Sequence, residues 1–336
     1  MSPYKKYLLK KLGWYFMTLV IALALNFLLP RMIKGNPVDA IVSQLAQGMT
    51  DQDQIKRTYD TFAKEFGIDK PIYMQFFIYV KNIFLGDLGT SFGLYPRKVT
   101  DILMSAVPWT LGLQFPAIIV GWILGNVLGA VAAYKRGIFD KIIFPVALLF
   151  NSLPFFAMSL IALFIFSVNL HWFPIGGAYA FDIMPSFSLR FFGSVLYHYI
   201  LPFLTIVTVM IGGQGIGMRE MAIYELNADY VLYSKLLGVR DNKVVRYVFR
   251  NAMLPQITGL ALSMGTMIGG ALISEIVFNY PGIGTWLFTA IRQLDYPLIS
   301  GCTLLITITV LIANFTIEII YGLVDPRIKM AQMEEN

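Results

Sequence analysis

Six stretches of this chain, at about 12–30, 109–134, 142–168, 197–218, 257–278 and 298–320, run almost without charge. Each is close to the ~20 residues that a bilayer core requires of a helix. Hydrocarbon offers backbone N–H and C=O groups no water, so such runs must satisfy those groups internally, as helices or as a closed barrel. Barrel strands would alternate apolar and polar side chains, and these runs do not. The fold class expected is an all-α integral membrane protein with six transmembrane helices. The chain is 57% hydrophobic and only 14% charged, which excludes a pair of ordinary soluble domains.

The charges between the runs orient them. Lys5, Lys6, Lys10 and Lys11 precede the first run, which places the amino terminus in the cytoplasm, and six crossings return the carboxyl terminus to the same side. The expected inner loops carry Lys135, Arg136 and Lys141, then Arg219, Lys235, Arg240, Lys243, Arg246 and Arg250, whereas the two later outer loops carry only Arg190 and Arg292. The first outer segment holds many cations, but long segments weigh little in this rule. The first run resembles a secretory signal, yet it ends in Leu29-Pro30-Arg31 without a small-residue cleavage site and reads as a retained anchor. The net charge of +6 lies in short blocks between apolar runs and so sets topology; no nucleic-acid partner is expected. The single Cys302 forms no internal disulfide, and His171 and His198 are too few for a metal cluster.

The resulting division is 1–31, a cytoplasmic tail and first span; 32–100, an extracytoplasmic segment; 101–325, a five-helix core with a cytoplasmic loop at 219–255; and 326–336, a cytoplasmic tail. Turn residues at Gly35-Asn36-Pro37, Asp69-Lys70-Pro71 and Gly86-Asp87-Leu88-Gly89 mark the outer segment as small and partly helical. The aromatic stretch 169–196 has two open roles, an interfacial belt or a docking surface. Gly121, Gly125 and Gly129 recur every four residues, as do Gly265 and Gly269, so each series lies along one helix face. Such faces serve close packing within the bundle or line a pathway against a second subunit. Glu275, near the outer end of the fifth span, needs a partner, a proton or water; it either bonds structurally or lines the pathway.

The inner loop is patterned for helix, with Tyr230, Leu232 or Tyr233, Leu236 and Leu237 at three- and four-residue spacing, interrupted by Gly238. A second helical stretch, Lys243 to Met253, is expected to end at Leu254-Pro255, where the next span begins. Two short helices about a glycine turn make a compact knob able to enter a groove on a soluble partner.

The run from Asp229 to Gly238, followed by Arg250-Asn251-Ala252-Met253-Leu254-Pro255, resembles the inner-loop motif of ABC importer permeases, and more narrowly those of the dipeptide, oligopeptide and nickel family. Further matches stand in order along nearly the whole chain: Phe66-Gly67-Ile68-Asp69-Lys70-Pro71, Gly86-Asp87-Leu88-Gly89-Thr90-Ser91, Pro281-Gly282-Ile283-Gly284, Asp295-Tyr296-Pro297 and Asp325-Pro326-Arg327. The chain departs from the motif at Leu232-Tyr233-Ser234, where the family has Glu-Ala-Ala.

The resemblance implies a type I ABC importer permease fold in a bacterial or archaeal plasma membrane. It also implies a second homologous permease, two cytoplasmic ATPase subunits and an extracytoplasmic solute-binding protein as partners, with membrane lipid around them. The chain carries no G-x-x-x-x-G-K-[ST] phosphate loop, so no cofactor is expected in it, and ATP and Mg belong to the ATPase subunits. By the same resemblance Asp229, Tyr230, Ser234, Leu237, Gly238, Val239 and Arg240 belong to the coupling segment; Gly265 and Gly269, from their spacing, and Glu275, as an acid within a span, are candidates for the pathway. Peptides are the expected solute, with oligosaccharides and nickel chelates as alternatives. A membrane-embedded enzyme would show paired carboxylates or histidine clusters, and an ion-driven carrier would show ionisable groups near mid-membrane; the middles of these spans are nearly free of charge.

Overall fold

The computed structural model describes residues 3–32, 38, 42, 52–65, 67–135 and 137–324, with side chains described except at 3–10, 52, 65, 139, 258–259, 261–271 and 317–324. Phe66 and Asp325-Pro326-Arg327 of the motifs above, and the tail 326–336, lie outside these residues. The described chain is helical: α1 Pro3–Met32, α2 Gln52–Glu65, α3 Ile72–Phe84, α4 Val99–Lys135, α5 Gly137–Ser152, α6 Phe155–Ala162 continued by a π-helical stretch Leu163–Asn169, α7 Leu189–Leu226, α8 Asp229–Leu236, α9 Asp241–Val277, α10 Ile283–Gln293 and α11 Tyr296–Val324.

Among the described residues, four helices are long and apolar enough to cross a membrane, at Lys11–Met32, Val99–Lys135, Leu189–Leu226 and Tyr296–Thr316, and a bent pair, Asp140–Ser152 with Phe155–Asn169, makes a fifth if it counts as one span. The run 257–278 lies in α9, largely where side chains are not described. At 37 and 38 residues, α4, α7 and α9 are each about 56 Å long, well beyond a ~30 Å hydrocarbon core, so they project past it.

Two expectations are corrected. The continuous span at 142–168 is broken, because the chain bends by 103° between its two halves. Pro154 supplies the cause: it cannot donate to the helix before it, and it pushes Leu153 out of the helical region. Pro255, in contrast, does not end a helix, since α9 runs unbroken from Asp241 to Val277. A proline removes one bond of the ladder, a loss that neighbouring helices in a bundle make good. Beside it, Trp122 Nε1 donates to the Gln256 carbonyl at 3.4 Å.

The described residues fall into two units, one reaching to Pro108 and including Gly282–Leu311, the other Trp109–Pro281 with the chain from Ile312. In the first, Asp295 is fully buried and acts as a knot. Its Oδ2 accepts from the Ser91 hydroxyl and from Gly93 N at 3.0 Å, and its Oδ1 accepts from Leu298 N at 3.1 Å at the start of α11. Gly301, one turn on, leaves room for Val99 and Leu103 of α4, where a Cβ would stand 2.6 Å from Val99 Cγ1.

In the second unit the glycines of α4 pack on α7. A Cβ on Gly121 would collide with Met210, one on Gly129 with the Gly215 carbonyl, and one on Gly125 would lie 2.8 Å from Gln214 Cβ and 3.0 Å from the Ile211 carbonyl. The packing reading of this series therefore has a named partner at each position. Above the seam, Leu113, Ala117, Ile118, Ile206, Val207 and Met210 form a buried core. At the other end Arg219 of α7 grips Asp140 of α5 with two hydrogen bonds of 2.6 Å and lies over the Phe144 ring at 4.3 Å.

Overpacking this seam should cost about 1–3 kcal/mol. Gly125→Leu is expected to lower the thermal unfolding midpoint of the detergent-purified protein, while Gly112→Ala, where nothing lies within 4 Å of the added Cβ, leaves it unchanged.

Candidate functional site

Between α7 and α9 the chain makes a short excursion whose geometry is set by two helix ends. Ala228, in extended conformation, starts α8, and Asp229 stands in its first turn, where a carboxylate complements the helix dipole. At the other end Leu237 caps the helix and Gly238 takes φ +72°. Val239 N donates to the Ser234 carbonyl at 3.0 Å and Gly238 N to the Lys235 carbonyl at 3.0 Å. These two bonds are the Schellman pair, which satisfies carbonyls a helix end would otherwise leave bare. Arg240 then opens α9, its carbonyl accepting from Lys243 N at 2.8 Å.

One face of α8 is fastened to its neighbours. Val231 packs with Val244 and Val248 of α9 in a small core that Leu226, Tyr230 and Val239 complete. The Tyr230 hydroxyl donates to Glu225 Oε2 at 2.7 Å. Burial first, and then that hydrogen bond, push the phenol up to about 12, so it stays a donor at any physiological pH.

The opposite face is bare. Leu236 is 73% exposed and Leu237 82%, with Leu232 and Tyr233 also exposed beside them. Leaving two leucines in water forgoes about 1.5–3 kcal/mol each. A helix pinned on one side and apolar on the other is shaped to be received by a partner's groove. Asp229, Gly238 and Arg240 are exposed around this face, Tyr230 and Val239 are half-buried toward α9, and Ser234 is half-buried, so all seven sequence-derived coupling residues lie on one element and its turn. Tyr233, at the place of a small residue in the motif, points away from the chain's own packing.

The candidate pathway residues are not brought together in this way. Gly265 and Gly269 lie in α9 within 261–271, outside the residues whose surroundings are described. Glu275 is fully buried, and its Oε1 accepts from Gln114 Nε2 at 2.9 Å. Next to it in sequence, Ser274 accepts from Ser159 Oγ at 3.0 Å, and Thr205 lies 3.5 Å from Ser159 on the other side. This polar string ties α6, α7 and α9 inside an apolar bundle. Single-residue reading gave no sign of it, since serine and threonine are common in spans.

Asp295 entered the sequence reading only as part of the motif Asp295-Tyr296-Pro297, without a role of its own. Its signal lay in the motif segments 86–91 and 295–297, far apart in sequence, which the structure joins through the Ser91–Asp295 bond and the contact of Gly89 with Pro297, 3.8 Å from the glycine's ideal Cβ.

Residues 125–330 match the family described as the inner membrane component of binding-protein-dependent transport systems. The chain is 32% identical to the di/tripeptide transport system permease protein of Pseudomonas aeruginosa, over 96% of this chain and 98% of that one. It is 30% identical to the glutathione transport system permease protein of Escherichia coli K12, with the same coverage. It is also 30% identical to a probable D,D-dipeptide transport system permease protein of the same strain, over 90% and 92%.

At Gly238 the constraint is the backbone's positive φ and not packing, because nothing lies within 4 Å of an added Cβ. A branched side chain at positive φ should cost about 1–2 kcal/mol, which is roughly 5- to 30-fold in local opening. Hydrogen exchange at Gly238→Ile is expected to accelerate by that factor across 237–239, whereas Gly238→Asn, which tolerates the left-handed region, stays within about twofold of the native rate.

Proposed function

The chain belongs to the family of inner membrane components of binding-protein-dependent transport systems, and from that premise we propose that it forms half of the translocation pathway of a peptide importer driven by separate ATPase subunits. It is a multi-pass membrane protein and a transport component of such a system. In the proposed arrangement the broken α5–α6 pair and α9 complete six crossings with α1, α4, α7 and α11, and both termini face the cytoplasm of a bacterial or archaeal cell. A second, related permease supplies the other half of the pathway, and an extracytoplasmic binding protein delivers the solute.

The observation that carries this reading is the bare apolar face of α8, Leu232, Tyr233, Leu236 and Leu237, held rigidly between two helices that run on into the membrane. In the proposed cycle each of two ATPase subunits receives one such knob in a groove. Closing of the ATPase pair on ATP draws the knobs together. Because α8 is packed on α9 through Val231, Val244 and Val248, and α7 is tied to α5 through Arg219 and Asp140, the displacement passes into the spans as a movement of whole helices. The cavity between the two permeases then opens outward to accept solute, and hydrolysis returns it to the inward-open state. Asp229, Tyr230, Ser234, Gly238, Val239 and Arg240 serve to hold and orient the knob, and Leu237 leads its tip. Glu275, held by Gln114 of α4, and the stretch containing Gly265 and Gly269 lie on α9, which in this scheme moves and borders the pathway.

A peptide is the solute assigned here, in keeping with relatives named for di/tripeptides, glutathione and D,D-dipeptides. Discrimination among peptides belongs to the binding protein in this scheme.

Two measurements test the proposal. Leu236→Glu combined with Leu237→Glu should weaken association with the ATPase subunits by about a hundredfold or more, from the apolar burial lost, and abolish uptake while the protein still inserts. Unchanged copurification and uptake would overturn it. Lys235→Cys in a Cys302→Ser background should react with an impermeant thiol reagent only in inside-out vesicles, since Cys302 is buried and is the sole cysteine. Labelling in right-side-out cells would reverse the proposed orientation.

A further inference from the structure

The unit built on α1, α2, α3 and the start of α11 encloses a cavity of about 540 Å³ whose charge is one-sided. Among the described residues, Arg31, Lys64 and Lys70 line it against a single carboxylate, Asp87. Asp87 is already engaged in its own turn, Oδ1 accepting from Gly89 N at 2.9 Å. Among the described residues Arg31 donates to neutral acceptors, the Phe27 carbonyl at 2.8 Å and Gln75 Oε1 at 3.2 Å, and its guanidinium lies 3.6 Å over the Phe27 ring. No ion pair neutralises Arg31, Lys64 or Lys70 among the described residues. Ile78, Ile83 and Leu304 supply the apolar part of the lining. A site with unpaired cations and an apolar wall fits an anionic amphiphile.

The helix forming one wall says where that amphiphile comes from. α3 is 13 residues long, about 20 Å, too short to cross a ~30 Å core, and none of its residues is buried. Its inner face meets the last turns of α1, Phe76 and Tyr79 packing on Phe27 at 5.2 and 5.5 Å between ring centroids. Its outer face presents Tyr73, Met74, Phe77 and Phe84, all exposed, and the candidate span of α1 on which it packs is itself apolar and largely exposed. Arg31 stands at the very end of that candidate span. A short helix with an apolar outer face, fixed to the rim of a span, lies in the membrane interface.

We infer that α3 is an interfacial helix and that the cavity behind it holds the phosphodiester headgroup of an anionic phospholipid, with Arg31, Lys64 and Lys70 as its cations and an acyl chain along the apolar wall. The inference requires only that α1 crosses the membrane, whichever side the cavity faces, so it stands or falls separately from the coupling proposal. The lipid would brace α3 against α1 in the assembled transporter.

The test uses the full transporter in nanodiscs of equal parts phosphatidylglycerol and phosphatidylcholine, with retained lipid read by native mass spectrometry after release. Selective retention of phosphatidylglycerol is expected. Lys64→Gln with Lys70→Gln, both exposed positions, should reduce that selectivity by about tenfold or more, and Arg31→Gln should reduce it further. Equal retention of the two lipids by the native protein, or selectivity unmoved in the double variant, overturns the inference. Displacement of the retained lipid by millimolar inorganic phosphate or by a free dipeptide, each matched for ionic strength, would also overturn it, in favour of a small-anion or cargo-carboxylate site. Survival of the lipid through both challenges supports it.

Discussion

In hydrocarbon every backbone N–H and C=O must find a partner within the protein, and the rest of this structure follows from that demand. It forces the long uncharged runs into helices and lets those helices carry Pro145, Pro202 and Pro255 internally, because a bundle makes good the odd missing bond. It also allows three helices to run far past the membrane core as continuous rods. The water-facing element α8 is therefore joined to rigid helices on both sides by a few residues, Asn227 and Ala228 before it and Leu237 to Arg240 after it. A push on α8 has little slack to take up before it reaches the spans.

Within each unit the polar groups are few and are spent on fixing helices rather than on chemistry. Asp295 binds the loop at 91–93 to the start of α11; Gln114 and Glu275, with Ser159, Thr205 and Ser274, join α4, α6, α7 and α9; Arg219 and Asp140 lock α7 to α5. An unpaired carboxylate in such surroundings would cost roughly 2–3 kcal/mol or more, so each of these residues is worth burying only because its partner is in place. Where apolar attraction between helices is weak, as in lipid, close approach supplies the rest, and Gly121, Gly125 and Gly129 give α4 and α7 that approach.

The surfaces left bare are as informative as those covered. Leu236 and Leu237 stand in water at the tip of a helix whose other face is fully engaged, and Phe77 and Phe84 stand out from a helix too short to span. The proposals above assign the first pair to a protein groove and the second to lipid. The difference lies in what each helix is attached to: α8 sits among charged residues such as Lys235 and Arg240, while α3 packs on the end of the apolar helix α1.

Much of this was legible in the residues. Runs without charge located the spans, since the transfer cost of a helix is close to a sum over its own side chains, and Gly238 followed by a polar restart marked the turn after α8, since few other residues adopt a positive φ cheaply. What those sums cannot carry is the identity of a neighbour. Only the tertiary structure decided that Pro154 breaks its span while Pro255 rides inside one, that the α4 glycines face α7, and that Glu275 meets Gln114. Only it joined Ser91 to Asp295 across two hundred residues of chain. Composition fixes the medium a segment must occupy, but the partner that completes a buried donor, a freed carbonyl or a missing side chain is supplied by packing, which no local stretch of sequence contains.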